Sequence, residues 1–92
     1  MRNNQTKEDY SLVIDPEIIP DSQLIVYNDD VNTFDHVINT LIKVCKHTPE
    51  QAEQCTLIIH YKGKCSVKNG SFSSLKPMRD AICEEGIDAR IL

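Results

Sequence analysis

Between Thr33 and Gly63 the chain encodes two helices back to back, and this pair constrains the fold more than any other feature. Apolar residues fall at Phe34, Val37, Ile38, Leu41 and Cys45, the spacing of one helical face, behind Asn32 and Thr33, either of which can cap a helix. A first helix over roughly 33–46 is expected. Directly after it, Thr48-Pro49-Glu50-Gln51 combines an N-cap Thr, a Pro at the first helical position and a Gln that can close a capping box. A second helix therefore starts at Pro49, runs to about Tyr61 and is ended by Gly63. Helices joined by so short a link are antiparallel neighbours or cross at an angle, and each needs a sheet or partner helix over its apolar stripe.

The remaining chain can supply that sheet. Residues 24–27 (LIVY) are β-formers that stop at Asn28-Asp29-Asp30, residue types that favour turns because their side chains bond nearby backbone N–H groups. Residues 64–68 (KCSVK) alternate weakly as a strand and Asn69-Gly70 reads as a turn. Over 74–85, Leu75, Met78, Ile82 and Cys83 recur at helical spacing, with Pro77 fitting only near the first turn. Gly86 suits a left-handed C-cap, after which Ile87, Ala89 and Ile91 alternate with Asp88 and Arg90 as a closing half-buried strand. The expected order is β-α-α-β-α-β, a single α+β domain with a three-stranded sheet and helices on one face.

A chain of 92 residues makes one domain, too small for a core plus a roomy catalytic cleft. Residues 1–21 are polar, carry Pro16 and Pro20 and hold no sustained period, so a flexible N-terminal arm over 1–21 and a folded core over 22–92 are expected. No apolar run approaches the roughly 18 residues of a membrane span. Residues 1–10 (MRNNQTKEDY) lack the apolar core of a signal peptide, which points to the cytoplasm. Net charge is −4 with Lys and Arg scattered, so the basic footprint of nucleic-acid binding is missing. Cys45, Cys55, Cys65 and Cys83 form no CxxC pair and are expected to be structural thiols.

Two places stand out as a candidate site. Asn28-Asp29-Asp30 lies at the end of a strand just ahead of an amphipathic helix, where it either faces a ligand or merely closes a turn. His60 sits near the end of the second helix beside Ile58, Ile59 and Tyr61, where a packing role or a favourable charge on the helix C-terminus is the plainer explanation. From residue types alone, an anionic pocket near a histidine is all that follows.

In order and at this spacing, VYNDDVNTFDHVINTLIKV followed by HTPEQAEQCTLIIHYKGK resembles the ClpS family of N-degron adaptors, over roughly residues 23–64. Its signature is a strand, an Asn-Asp-Asp turn, a helix, and a second helix ending in His-x-x-Gly-Lys. The fold this implies is shared with the similar C-terminal domain of the ribosomal stalk protein. The resemblance implies that Asn28, Asp29 and His60 bind the α-amino group of a substrate and that Asp30, Asn32, Phe34, Val37, Thr56, Ile59 and Ile87 line an apolar pocket for its first side chain. It further implies delivery to a ClpA-like or ClpC-like AAA+ unfoldase of a Clp protease, with no cofactor, no metal and no catalysis.

That chemistry suits these residues. An α-amino group is largely cationic at neutral pH and offers three donors, and Asn28, Asp29 and a neutral His60 can accept them, so protonating His60 should weaken binding. Each hydrogen bond to a charged group is worth about 1.5–3 kcal/mol, and burying a Leu or Phe side chain adds about as much. Association costs on the order of 4 kcal/mol or more, so both halves are needed. Departures from the family pattern are Phe34 for a gating Met, Asn32-Thr33 for Thr-Pro and Thr56 for a second Met, and a stiffer gate with a hydroxyl in the wall should reshape the pocket. After Lys64 the chain is several residues shorter than typical members.

Two other classes compete. A hydrolase would need Asp29 and His60 as base and orienter, but no Ser or Cys nucleophile motif and no HExxH spacing accompanies them. A non-catalytic interaction module of the same fold, docking on a partner helix without reading an N-terminus, is equally compatible with the architecture.

Overall fold

A computed structural model describes residues 21–92, and the arm expected over 1–21 lies, apart from Asp21, outside the described residues. The order is β1 (Ser22–Tyr27), α1 (Phe34–Cys45), α2 (Pro49–Lys62), β2 (Lys64–Gly70), α3 (Phe72–Glu84) and β3 (Ala89–Ile91), the expected β-α-α-β-α-β succession. The strands form one antiparallel sheet in the order β2-β1-β3, with β1 central.

Local chemistry explains the helix ends. Thr33 rather than Asn32 caps α1, its hydroxyl accepting from the His36 N–H at 3.1 Å. At α2 the capping box closes in both directions, Gln51 N–H to Thr48 Oγ1 at 3.1 Å and Thr48 N–H to Gln51 Oε1 at 3.0 Å. Two donors that a helix start leaves orphaned are thereby satisfied. Gly63, at φ 92°, ends α2 in the left-handed region that glycine enters without a Cβ penalty. Lys46 adopts the same region at the end of α1, with φ 61°, where a side chain is strained.

Leu24 and Val26 of β1 point to the helix-covered side and pack with Leu41, Ala52, Leu75 and Ile82 as the core. Burying these side chains is the main stabilising term, about 1.5–3 kcal/mol for each large one. A bulge between Leu24 and Ile25 slips the β1–β2 register by one residue, from Leu24 opposite Lys68 to Ile25 opposite Ser66. The extra residue, Val67, is thereby turned into the core. Its carbonyl accepts from His47 Nε2 at 2.7 Å, which ties the α1–α2 link to the sheet.

Four expectations need correction. Asn69 and Gly70 are not a turn but the end of β2, opposite Gln23 and Ser22, because β1 starts two residues earlier than its apolar run and offers them partners. Helix α3 begins at Phe72, capped by Ser71, which accepts from the Ser74 N–H at 3.1 Å; Pro77 therefore falls inside the helix, past its first turn. Ile87 precedes β3 instead of starting it, as part of the turn after α3. Cys83 is exposed on α3 rather than packed with Leu75 and Ile82.

The other thiols behave as expected. All four cysteines are free. Burial pushes the Cys45 thiol up to about 11, and burial together with the neighbouring Cys55 pushes that of Cys65 up to about 12, so neither carries appreciable thiolate near neutrality.

Candidate functional site

At the C-terminal end of β1 the chain must turn from the sheet into α1, and Asp29 organises that turn. Its Oδ1 accepts from the Val31 and Asn32 N–H groups, both at 2.8 Å, and its Oδ2 accepts from Asn32 Nδ2 at 2.7 Å. The Asn32 N–H bond, with those from Val31 and the Asn32 amide, outweighs partial desolvation and holds the Asp29 carboxyl below its usual range. The carboxylate therefore keeps its charge while serving the loop. With three donors already bound, Oδ2 retains its spare capacity for one more, since an ionised carboxyl offers about four acceptor sites.

The neighbouring elements bring the other groups to this loop. The Asn28 N–H donates to Gly63 O at 2.9 Å, so the loop is fastened to the turn that ends α2, within reach of His60. The His60 ring stands between two aromatic edges, 5.0 Å from the Phe34 centroid and 4.9 Å from that of Tyr61, both T-shaped. Such contacts are worth about 0.5–1.5 kcal/mol beyond area and hold the imidazole at the rim. Phe34 itself is 41% exposed. It is a lip of the cavity and not a core residue, although it shares the helical spacing of Val37 and Leu41.

Beneath this rim lies a cavity of about 300 Å³. All ten residues singled out in the sequence line it: Asn28, Asp29, Asp30 and Asn32 from the loop, Phe34 and Val37 from α1, Thr56, Ile59 and His60 from α2, and Ile87 from the turn before β3. Three further lining residues were missed, Val26, Tyr27 and Thr33. Each adjoins a named residue in sequence or, like Val26, follows from the strand's period of 2, so the signal was available.

Thr56 stands in the wall with its hydroxyl engaged. Thr56 does not present an unsatisfied hydroxyl, because Thr56 Oγ1 donates to Ala52 O at 2.7 Å on its own helix. The cavity is thus apolar at Val37, Ile59 and Ile87, all nearly fully buried, and anionic at the loop that carries Asp29 and Asp30. Among the described residues, no cluster of His, Cys, Asp and Glu suits a metal ion.

The fold is that of known proteins. The structure of Agrobacterium tumefaciens ClpS2 bound to L-phenylalaninamide superposes with a TM-score of 0.68 over 79% of this chain and 95% of that one, at 16% identity. The family described as ATP-dependent Clp protease adaptor protein ClpS matches residues 19–87, and the chain belongs to that family. Two curated ClpS adapter proteins are each 32% identical to it. That of Nitratidesulfovibrio vulgaris aligns over 56 residues, 59% of this chain and 56% of its own length. That of Thermosynechococcus vestitus aligns over 69 residues, 74% of this chain and 73% of its own. The chain thus spans little more than half the length of the first and about three-quarters of the second.

Proposed function

We propose that this protein is a non-catalytic adaptor that binds other proteins by a bulky hydrophobic N-terminal residue and its free α-amino group, and delivers them to a Clp protease through a ClpA-like or ClpC-like unfoldase. The observation that carries the reading is the division of one cavity into an apolar interior, with Val37, Ile59 and Ile87, and a mouth bearing Asn28, Asp29 and His60. A cavity of about 300 Å³ lies at the small end of ligand pockets, roughly 300–1,000 Å³, and suits one side chain better than a peptide segment. The α-ammonium then rests at the mouth, with the remaining lone pair of Asp29 Oδ2, the Asn28 amide oxygen and a neutral His60 nitrogen as acceptors. The molecule bound to the Agrobacterium ClpS2 structure, L-phenylalaninamide, has the same two parts, a free α-amine and a large apolar side chain.

The test is a titration with fluorescent peptides that differ only in the first residue, Leu, Phe, Ile or Arg, and with an acetylated Leu-first peptide, repeated for Asp29→Ala and His60→Ala. Free Leu- and Phe-first peptides are expected to bind and to be recovered uncut. The acetylated and Ile-first peptides are expected to bind at least about tenfold more weakly, the worth of one charged hydrogen bond or of a misfitted side chain. Equal binding of acetylated and free peptide would sink the reading and leave docking on a partner as the use of this fold.

A further inference from the structure

The turn after α3 places Ile87 in the cavity, and its own backbone does only part of the work. The Ile87 N–H reaches Ile82 O at 3.4 Å and the Gly86 N–H reaches Cys83 O at 3.0 Å, with Gly86 left-handed at φ 82°. This is the paired closure of a Schellman helix end. It leaves the carbonyls of Glu85 and Gly86 without partners in α3 or the sheet. Both are satisfied from the start of α1, 49 and 54 residues away in sequence. His36 Nε2 lies 2.8 Å from Glu85 O and, since a carbonyl only accepts, must carry the proton there. Asn32 Nδ2 donates to Gly86 O at 2.9 Å while also donating to Asp29 Oδ2.

We infer that Asn32 and His36 are positioning residues that clamp the α3–β3 turn and so set the depth of the cavity, which makes them determinants of first-residue size. The inference rests on the N-terminal-residue reading of the site and deepens it. Asn32 has a second consequence: one amide group spans the anionic mouth and the apolar wall, so the amine half and the side-chain half share a common support. The polar contacts of the His36 ring are to Glu85, its carbonyl at 2.8 Å and its carboxylate at 3.8 Å, so loss of the ring separates the two effects. With the turn released, Ile87 retreats and larger side chains gain over smaller ones.

The experiment compares wild type with Asn32→Ala, His36→Ala and His36→Gln, the last retaining a donor for Glu85 O. Leu-, Phe- and Trp-first peptides and acetylated Leu peptide are titrated, and the amide hydrogen exchange of Ile87, whose N–H is bonded to Ile82 O, is followed. In both alanine variants the Phe-to-Leu affinity ratio is expected to rise about threefold or more, as for loss of one hydrogen bond, with faster exchange at Ile87. His36→Gln should return both readouts towards wild type. A uniform loss of affinity with an unchanged ratio overturns the clamp while leaving the proposed function standing. If wild type fails to distinguish free from acetylated peptide, it is the function that falls. The clamp is then decided by exchange alone, and unaltered exchange at Ile87 in both alanine variants overturns it.

Discussion

Asp29 holds three donors within the protein before any ligand arrives, so its substitution has two effects that must be separated. Its folded-state carboxyl titrates below the ordinary aspartate value. The stabilisation this brings is therefore fully present above that value and lost as pH falls through the folded-state titration. The group is only partly buried, and solvent screening keeps the contribution small. We expect the melting-temperature gap between wild type and Asp29→Asn, measured from pH 7 downward, to close in the acid carboxylate range; a constant gap would mean that the charge is irrelevant to the loop. Thr56 yields a contrasting expectation. Because its hydroxyl is satisfied by Ala52 O, Thr56→Val should leave Leu- and Phe-first peptide affinities within about twofold, well under the 1.4 kcal/mol of a tenfold change. A tenfold loss would place the hydroxyl in contact with ligand.

Elements defined by adjacent residues were legible in the sequence, and those defined by distant partners were not. The start of α2 was readable because Thr48, Pro49 and Gln51 act on one another within a turn. The end of β2 was misread because turn propensity at Asn69-Gly70 is local, whereas pairing with Ser22 and Gln23 is long-range and overrides it. Similarly, nine of the ten cavity residues fall within the stretch 23–64 that carries the family resemblance and Ile87 lies beyond it, but the links of His36 and Asn32 to Glu85 and Gly86 leave no spacing signal across some fifty positions. The α1–α2 connection offers two tests at this scale. Thr48→Ala breaks the capping box and should lower stability by about 1 kcal/mol, a fall of roughly 4–8 °C in a domain of this size. Lys46→Gly relieves a left-handed non-glycine residue and should raise stability by about 1 kcal/mol. Thermal melts of the two variants check both signs.

At the scale of the whole molecule, the thiols report on integrity. Only Cys83 is exposed, while Cys45 is buried and its thiol stands at about 11. Each unit above the ordinary value cuts the thiolate fraction about tenfold. Brief treatment with iodoacetamide at neutral pH should modify Cys83 well ahead of Cys45 and Cys65, the latter two reacting only in denaturant. Early alkylation of Cys45, read by mass spectrometry of peptides, would indicate a core far looser than its packing implies.

The central place of β1 also makes the domain mechanically anisotropic. Gln23 and Leu92 exchange both backbone hydrogen bonds, each 2.9 Å, so the entry to β1 and the exit from β3 are neighbours. Tension between Ser22 and Leu92 opens the β1–β3 ladder like a zipper, one rung at a time, at low force. Tension between Ser22 and Lys64, at opposite ends of the antiparallel β1–β2 pair, slides the two strands past each other in shear, and the rungs of that ladder must fail in concert. The same small fold is thus compliant along one pulling axis and stiff along another.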